Sequence, residues 1–158
     1  CIRDRGLTVY DPKRHRKVDI SIPKPLERIK VTDIAEDGNV LWIGTRDGLF
    51  RYQADTSTWK HFTIEDGLIS PHVSAIAVDE RFVWIGTSDK GVSRYDKESG
   101  TWQSFQIEDG LADHNIRDIV ADKRYVWFGT FSAGVCRYDR RTGLWTKYLT
   151  AGYRTAAR

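Results

Sequence analysis

Two histidines, His72 and His114, stand 42 residues apart in polar stretches of the chain. Imidazole is the side chain most readily used as a general base or a metal ligand near neutral pH. Either role needs company: a zinc site needs further ligands at short spacing, and a base needs a nucleophile within reach. Neither histidine has such a neighbour. The two cysteines, Cys1 and Cys136, cannot make a disulfide framework, and two thiols without clustered histidines do not make a zinc pattern. No metal and no other cofactor is expected. What remains is charge and hydrogen bonding. Arg46, His72, Lys90, His114, Asn115 and Arg117 are polar residues in or beside Gly- and Asp-punctuated segments, and they do not recur from one copy of an internal repeat to the next. Any exposed loop carries polar residues, so their failure to recur is what marks these six as candidate ligand-binding positions.

The repeat that positions them is read from Val40-Leu41-Trp42-Ile43-Gly44-Thr45, which returns as Phe82-Val83-Trp84-Ile85-Gly86-Thr87 and as Tyr125-Val126-Trp127-Phe128-Gly129-Thr130. The three Trp are 42 and 43 residues apart. Each block is followed by a Gly and an Arg-Tyr pair (Arg51-Tyr52, Arg94-Tyr95, Arg137-Tyr138), then by a second Trp at 59, 102 and 145, which accounts for all six Trp. The one-residue change of period falls in the turn after Thr45 and Thr87, where a repeat of strands tolerates it. Gly, Asp and Ser punctuate the chain every eight to twelve residues or so, which nearly excludes helices. In the middle copy the alternation predicts strands at 73–78, 82–87, 92–96 and 101–106. Four short strands in about 42 residues fit a β-propeller blade rather than a helical repeat. The expected fold is therefore all-β, a propeller segment of about three four-stranded blades plus two strands of a further one. Its units are 1–22, 23–63, 64–106 and 107–149, with an irregular tail at 150–158. Ile76, Ala77, Trp84 and Ile85 are expected to pack each blade on the next, the Trp being core residues first.

Recurring polar positions read as structural. Glu65-Asp66-Gly67 and Glu108-Asp109-Gly110 are turn formers, as are Asp37, Asp79 and Asp122 before the Trp strand. The Arg-Tyr pairs could pass for a stacking surface for nucleic acid, but their strict recurrence points to packing, with Tyr inward and Arg either stacked outside or paired to an acid on a neighbouring strand. The 25 basic and 22 acidic residues are interspersed, with a net charge of +3, and this gives no basic face for nucleic acid. No stretch approaches the roughly 20 apolar residues of a membrane-spanning helix. The repeat is cut at both ends, Cys1 aligning with Ile43 and the pattern lapsing at Thr150-Ala151-Gly152-Tyr153, and Met is absent. These features predict a piece of a longer protein, or an array that closes by self-association.

Trp84-Ile85-Gly86-Thr87, Gly91-Val92-Ser93-Arg94-Tyr95-Asp96, Ser99-Gly100-Thr101-Trp102, Phe105 and Glu108-Asp109-Gly110-Leu111 together resemble the two-component regulator propeller repeat. The resemblance covers about residues 6–149. It implies an extracytoplasmic, periplasmic or extracellular, sensor segment of a bacterial hybrid two-component system. Such a segment would bind a small molecule such as a carbohydrate, or a protein, and would not catalyse. The chain departs from the family pattern in its few blades and in carrying no kinase, regulator or membrane segment. The alternatives are a structural scaffold that self-associates through open blade edges, and a propeller lyase or hydrolase using loop histidines. In a propeller, the loops at 64–72 and 107–115 and the turns at 46–47, 88–90 and 131–133 share one face, which is where binding is expected.

Overall fold

A computed structural model describes residues 29–148 with their side chains and, ahead of them, the backbone of three strands: β1 (Ile2–Arg3), β2 (Gly6–Asp11) and β3 (Arg16–Asp19). Cys1 and the tail expected at 150–158 lie outside the described residues, as does the start of the unit expected at 23–63. Three four-stranded antiparallel sheets follow. The first blade is β4 (Val31–Asp37), β5 (Val40–Thr45), β6 (Gly48–Gln53) and β7 (Thr58–Phe62). The second is β8 (Val73–Val78), β9 (Phe82–Thr87), β10 (Val92–Asp96) and β11 (Trp102–Phe105). The third is β12 (Ile116–Ala121), β13 (Tyr125–Thr130), β14 (Val135–Asp139) and β15 (Trp145–Tyr148). In each sheet the strands lie side by side in chain order. The strands expected in the middle copy are present, the outermost one shortened by a residue at each end. A single 3-10 turn, Ile107–Asp109, is the one helical element among the described residues.

Between neighbouring sheets the most extensive contacts are those of the first strands, β4 with β8 and β8 with β12, so the sheets radiate from an axis lined by the first strands. This is the arrangement of propeller blades. Ahead of them, β1–β3 repeat the first blade's register 42 residues earlier: Ile2 pairs with Leu7 as Gly44 does with Leu49, and Tyr10 with Lys17 as Tyr52 does with Trp59. The two strands expected here are joined by β1, the short end of the Trp strand.

Pairing register explains why each repeat needs two Trp. In the antiparallel ladders Trp84 faces Arg94, while Tyr95, one residue on, faces Trp102. Because the side-chain period is two, the first Trp and the second Trp lie on opposite faces of the sheet. Trp84, with Ala75, Val92 and Phe105, packs against Ile116, Ile119, Val126 and Phe128 of the next blade. Tyr95, Ile76, Val83 and Ile85 pack back against Trp42, Leu49 and Phe62 of the preceding one. The four residues expected to share one seam are thus divided: Ala77 and Trp84 face forward, and Ile76 and Ile85 face backward. Full burial of a Trp such as Trp84 contributes about 4–6 kcal/mol as an upper bound.

Of the two roles open to the Arg of each Arg-Tyr pair, stacking is the one observed. The Arg94 guanidinium lies 4.3 Å from the Phe82 ring centre and 5.4 Å from that of Trp84, and Arg137 lies 4.2 Å from Tyr125 and 5.4 Å from Trp127. These cations cap the outer end of each aromatic stack. Polar groups complete the seams. Thr32 Oγ1 donates to the Val73 carbonyl at 2.7 Å, and Ser74 Oγ makes the equivalent bond to Ile116. Each first strand also carries a bulge after its opening residue, between Val31 and Asp33, Val73 and Ala75, and Ile116 and Asp118.

Candidate functional site

The six candidates lie on one end of the sheets, along a ridge stitched by main-chain hydrogen bonds. Gly48 N, at the start of β6 just after the turn that carries Arg46, donates to the Pro71 carbonyl at 2.8 Å; Ser88 N, in the β9–β10 turn, donates to the His72 carbonyl at 3.0 Å. One blade on, Gly91 N donates to His114 at 2.9 Å and Phe131 N to Asn115 at 3.0 Å. Each loop entering a blade is therefore held between the turn of the blade before it and the turn of its own. Arg46, His72, Lys90, His114 and Asn115 ride on this ladder, and Arg117 follows one residue into β12.

A Ser–Asp staple recurs in it with its members exchanged. Ser70 Oγ donates to Asp89 Oδ1 at 2.6 Å, loop to turn. In the next blade the loop residue is Asp113, whose Oδ2 accepts from Ser132 Oγ at 2.7 Å and from Ser132 N at 3.2 Å. Burial alone would raise the Asp89 carboxyl, but the Ser70 hydroxyl, the His72 ring and the Lys90 charge together hold it below its ordinary value. The Ser132 hydroxyl, with surrounding main-chain N–H groups, does the same for Asp113 against the opposing effect of burial. Both are carboxylates at neutral pH, so the ridge alternates fixed negative groups with the cations of Arg46, Lys90 and Arg117.

The candidates differ in presentation. His72 is half-exposed, with its Nδ1 3.1 Å from Asp89 Oδ2, which orients the ring outward. Lys90 and Arg46 are exposed at turn tips. Arg117 is exposed and lies over the Phe131 ring at 4.6 Å, and Phe131 is itself 64% exposed. The ridge therefore offers an open aromatic surface that the sequence reading passed over, because a lone Phe in a turn does not differ by type from a core residue. His114 and Asn115 are half-buried, and His114 Nε2 is buried with no hydrogen-bond partner among the described residues. Ser70 Oγ donates to a carboxylate and not to His72, and no group of three His, Cys, Asp or Glu among the described residues could hold a metal. What the ridge supplies is charge, hydrogen bonding and a ring face.

The recurring acidic loops are structural in detail. Asp66 Oδ2 accepts from Thr63 N and Asp109 Oδ2 from Gln106 N, both at 2.8 Å, closing each turn. Gly110 has φ of +124°, and a Cβ there would meet Trp145 at 2.5 Å. At the opposite end of the sheets Asp79 and Asp122 close their turns by accepting two main-chain N–H groups each. Asp37 differs, its carboxylate engaging Lys97 Nζ at 2.9 Å. That end also holds a cleft of about 480 Å³ lined by Asp79, Glu80, Asp122, Lys123 and Arg140 among others, and none of the six candidates reaches it.

Fold and ridge together define the class: a β-propeller segment with repeating seams and a non-repeating loop face. Compared with solved structures, the chain is similar over 91% of its length to the extracellular domain ascribed to the hybrid two-component system BT3049 from B. thetaiotaomicron, at 25% identity and a TM-score of 0.74. It is similar over the same share to the extracellular domain ascribed to the one-component system BT4673 of that organism, at 24% identity and a TM-score of 0.69. The chain spans about a fifth of each, 20% and 22%. The GH74 enzyme of Niastella koreensis shares the fold alone, at 18% identity and a TM-score of 0.56 over 75% of this chain and 21% of that one. The two extracellular domains agree with the resemblance read from the repeat, and the fold is that of a β-propeller segment. No protein-family model matches the sequence, and no curated protein matches it.

Proposed function

We propose that the chain is a ligand-binding segment of an extracytoplasmic sensor propeller, with units at 1–22, 23–63, 64–106 and 107–149, that binds through its loop ridge without covalent chemistry. The observation that carries this reading is that the six non-recurring polar residues converge on one end of a scaffold whose recurring residues are occupied in packing and turns. Likeness to the extracellular domain of BT3049 supports placing that ridge outside the cytoplasm. The ligand fitted by this chemistry is a small polar molecule such as a carbohydrate, or a protein loop, meeting His72, Lys90 and Arg117 and lying over Phe131.

A panel of soluble oligosaccharides screened by thermal shift tests it, since a ligand at a hundred times its Kd stabilises by about 2.7 kcal/mol. The His72→Ala/Arg117→Ala variant should keep its unliganded Tm within about 2 °C, because both side chains are largely solvated, and should lose the ligand-induced shift. A shift that survives in the variant removes the ridge from the site.

A further inference from the structure

At the end of the sheets away from the ridge, each blade carries two hairpin turns tied by one main-chain hydrogen bond. Ala54 N donates to the Asn39 carbonyl, Lys97 N to Arg81 and Arg140 N to Arg124, at 2.8, 2.9 and 2.9 Å. The side chains on these turns can therefore be compared position by position. Lys123, Arg124, Arg140 and Arg141 of the third blade stand where the second has Glu80, Arg81, Lys97 and Glu98 and the first has Gly38, Asn39, Ala54 and Asp55. Together with the acids that open the turns, Asp37, Asp79, Asp96, Asp122 and Asp139, the three ends carry net charges of −2, −2 and +2. The scaffold is constant and the charge reverses.

The acids of the third end are occupied. Asp122 Oδ1 accepts from Arg124 N and Tyr125 N at 2.8 and 2.7 Å, and Asp139 Oδ1 from Arg141 N and Thr142 N at 2.9 and 3.3 Å. Its cations are largely unpaired. Lys123 and Arg141 are exposed, and their side chains make no hydrogen bond or ion pair among the described residues. Arg124 is half-exposed and reaches Asp139 only at 3.4 Å. Arg140 gives Nη1 to Asp79 at 2.9 Å, while its Nε and Nη2 have no partner among the described residues. In the second blade, by contrast, Arg81 is bound to Asp96 and Lys97 to Asp37, each at 2.9 Å. Cations without partners project their field outward. In the same turn as Arg140 and Arg141, Leu144 replaces Thr58 and Thr101 and is 68% exposed. A lone exposed Leu is ordinary, but this one stands beside the four cations.

We propose that this end of the third blade is a docking surface for an acidic segment of another protein, whose carboxylates meet Lys123, Arg124 and Arg141 while an apolar side chain rests on Leu144. Charge complementarity requires an anionic occupant. The neighbouring end requires a narrow one: Arg140 and Asp79 join the second and third blades here, and the second blade's end is net −2. A planar anionic surface such as a bilayer would cover both ends and be repelled by one. A small anion is disfavoured in the adjoining cleft, where Asp79, Glu80 and Asp122 line the wall with Arg140 and Lys123. A sulfated polysaccharide would satisfy the cations but has no use for Leu144. An extended acidic peptide satisfies both. This surface lies at the end opposite the ridge, so the inference is independent of the ligand reading.

Fluorescence anisotropy with a labelled peptide of Glu and Asp interrupted by Leu tests this at low ionic strength. Binding should be saturable and should disappear at about 1 M salt, where the Debye length is about 3 Å. Lys123→Glu/Arg141→Glu should weaken it about tenfold, and Leu144→Ser about threefold. Both variants should melt within about 2 °C of the parent, since the replaced side chains are solvated. Lys30→Glu/Lys60→Glu changes the net charge equally at exposed positions in the first blade and should leave the affinity unchanged. No saturable binding, or equal losses in the two charge-reversed variants, overturns the proposal. Tighter binding of phosphatidylglycerol vesicles or dextran sulfate than of the peptide, lost in Lys123→Glu/Arg141→Glu, also overturns it, in favour of a lipid or a polysaccharide as the occupant.

Discussion

Exchanging the two members of the Ser70–Asp89 staple should be nearly neutral, although one of the single replacements is costly. The basis is that Ser70 donates to Asp89 at 2.6 Å while, one blade later, Asp113 accepts from Ser132 at 2.7 Å, so donor and acceptor have changed places between loop and turn. Ser70→Asp alone sets two carboxylates against each other. Two like charges about 4 Å apart cost about 1 kcal/mol in water and about 4 kcal/mol at an effective dielectric of 20. The Asp89 side chain is 40% exposed, and solvent screening draws the expected loss down to about 2 kcal/mol, or about 4–8 °C in Tm. Asp89→Ser alone leaves two hydroxyls in reach of each other and costs about 1 kcal/mol. The double variant rebuilds the pair in the orientation of the next blade, and its residual deficit is the His72–Asp89 contact, less than about 1 kcal/mol. Urea unfolding followed by Trp fluorescence measures the cycle. At 1 M salt, where the Debye length falls to about 3 Å, the Ser70→Asp loss should shrink. Additive losses in the double variant would refute the equivalence of the two pairs, and with it the view that one staple holds both loops of the ridge.

Acid stability should depend on Asp96, whose carboxyl the Arg81 guanidinium holds at about 2, below the ordinary 3.8. A carboxyl with a lower pKa in the folded chain stabilises fully above the unfolded value and loses that contribution as pH falls through the folded one. Asp96→Asn should therefore flatten the pH dependence of stability between 3.8 and about 2, read by circular dichroism; an unchanged slope there would show that the Arg81 pair is not coupled to folding. Gly38→Ala and Gly110→Ala should separate sharply. Gly38 has φ of +59° with nothing within 4 Å of an added Cβ, whereas at Gly110 the Cβ meets Trp145 at 2.5 Å. The first should cost about 1–2 kcal/mol and the second about 3 kcal/mol or more, and equal melting temperatures would contradict the packing of this loop on the second Trp.

Much of the fold is legible in the residues because a repeat states each constraint three times. Trp-Ile-Gly-Thr, Arg-Tyr and the second Trp recur where strand pairing places them, so strand positions and the recurring Asp-Gly turns follow from alternation and punctuation. The direction in which each residue packs is less legible. Ile76 and Ala77 are adjacent, apolar and equally suited to a core, yet they serve different seams. The ion pairs of Asp37 and Asp79 were also hidden: an Asp at the end of a first strand reads as a turn former, and the cation that engages it lies about 60 residues on, in another blade. The Ser70–Asp89 and Asp113–Ser132 pairs escaped notice for a related reason, since the exchange makes each position look variable when only the pairing is constant.

By itself the amino-acid order determined the blade: four strands in about 42 residues, two Trp each, and which polar residues stand apart from the repeat. Those are local properties, set by period-two alternation and by where Gly and Asp allow the chain to turn. Tertiary structure alone decided what joins one blade to the next and which of the six candidates present their side chains to solvent. His72 is turned outward by Asp89 while His114 is drawn inward, although both sit in corresponding loops. The physical reason is that seam contacts and side-chain exposure depend on groups from neighbouring sheets, brought together by radial packing around an axis that no stretch of sequence contains.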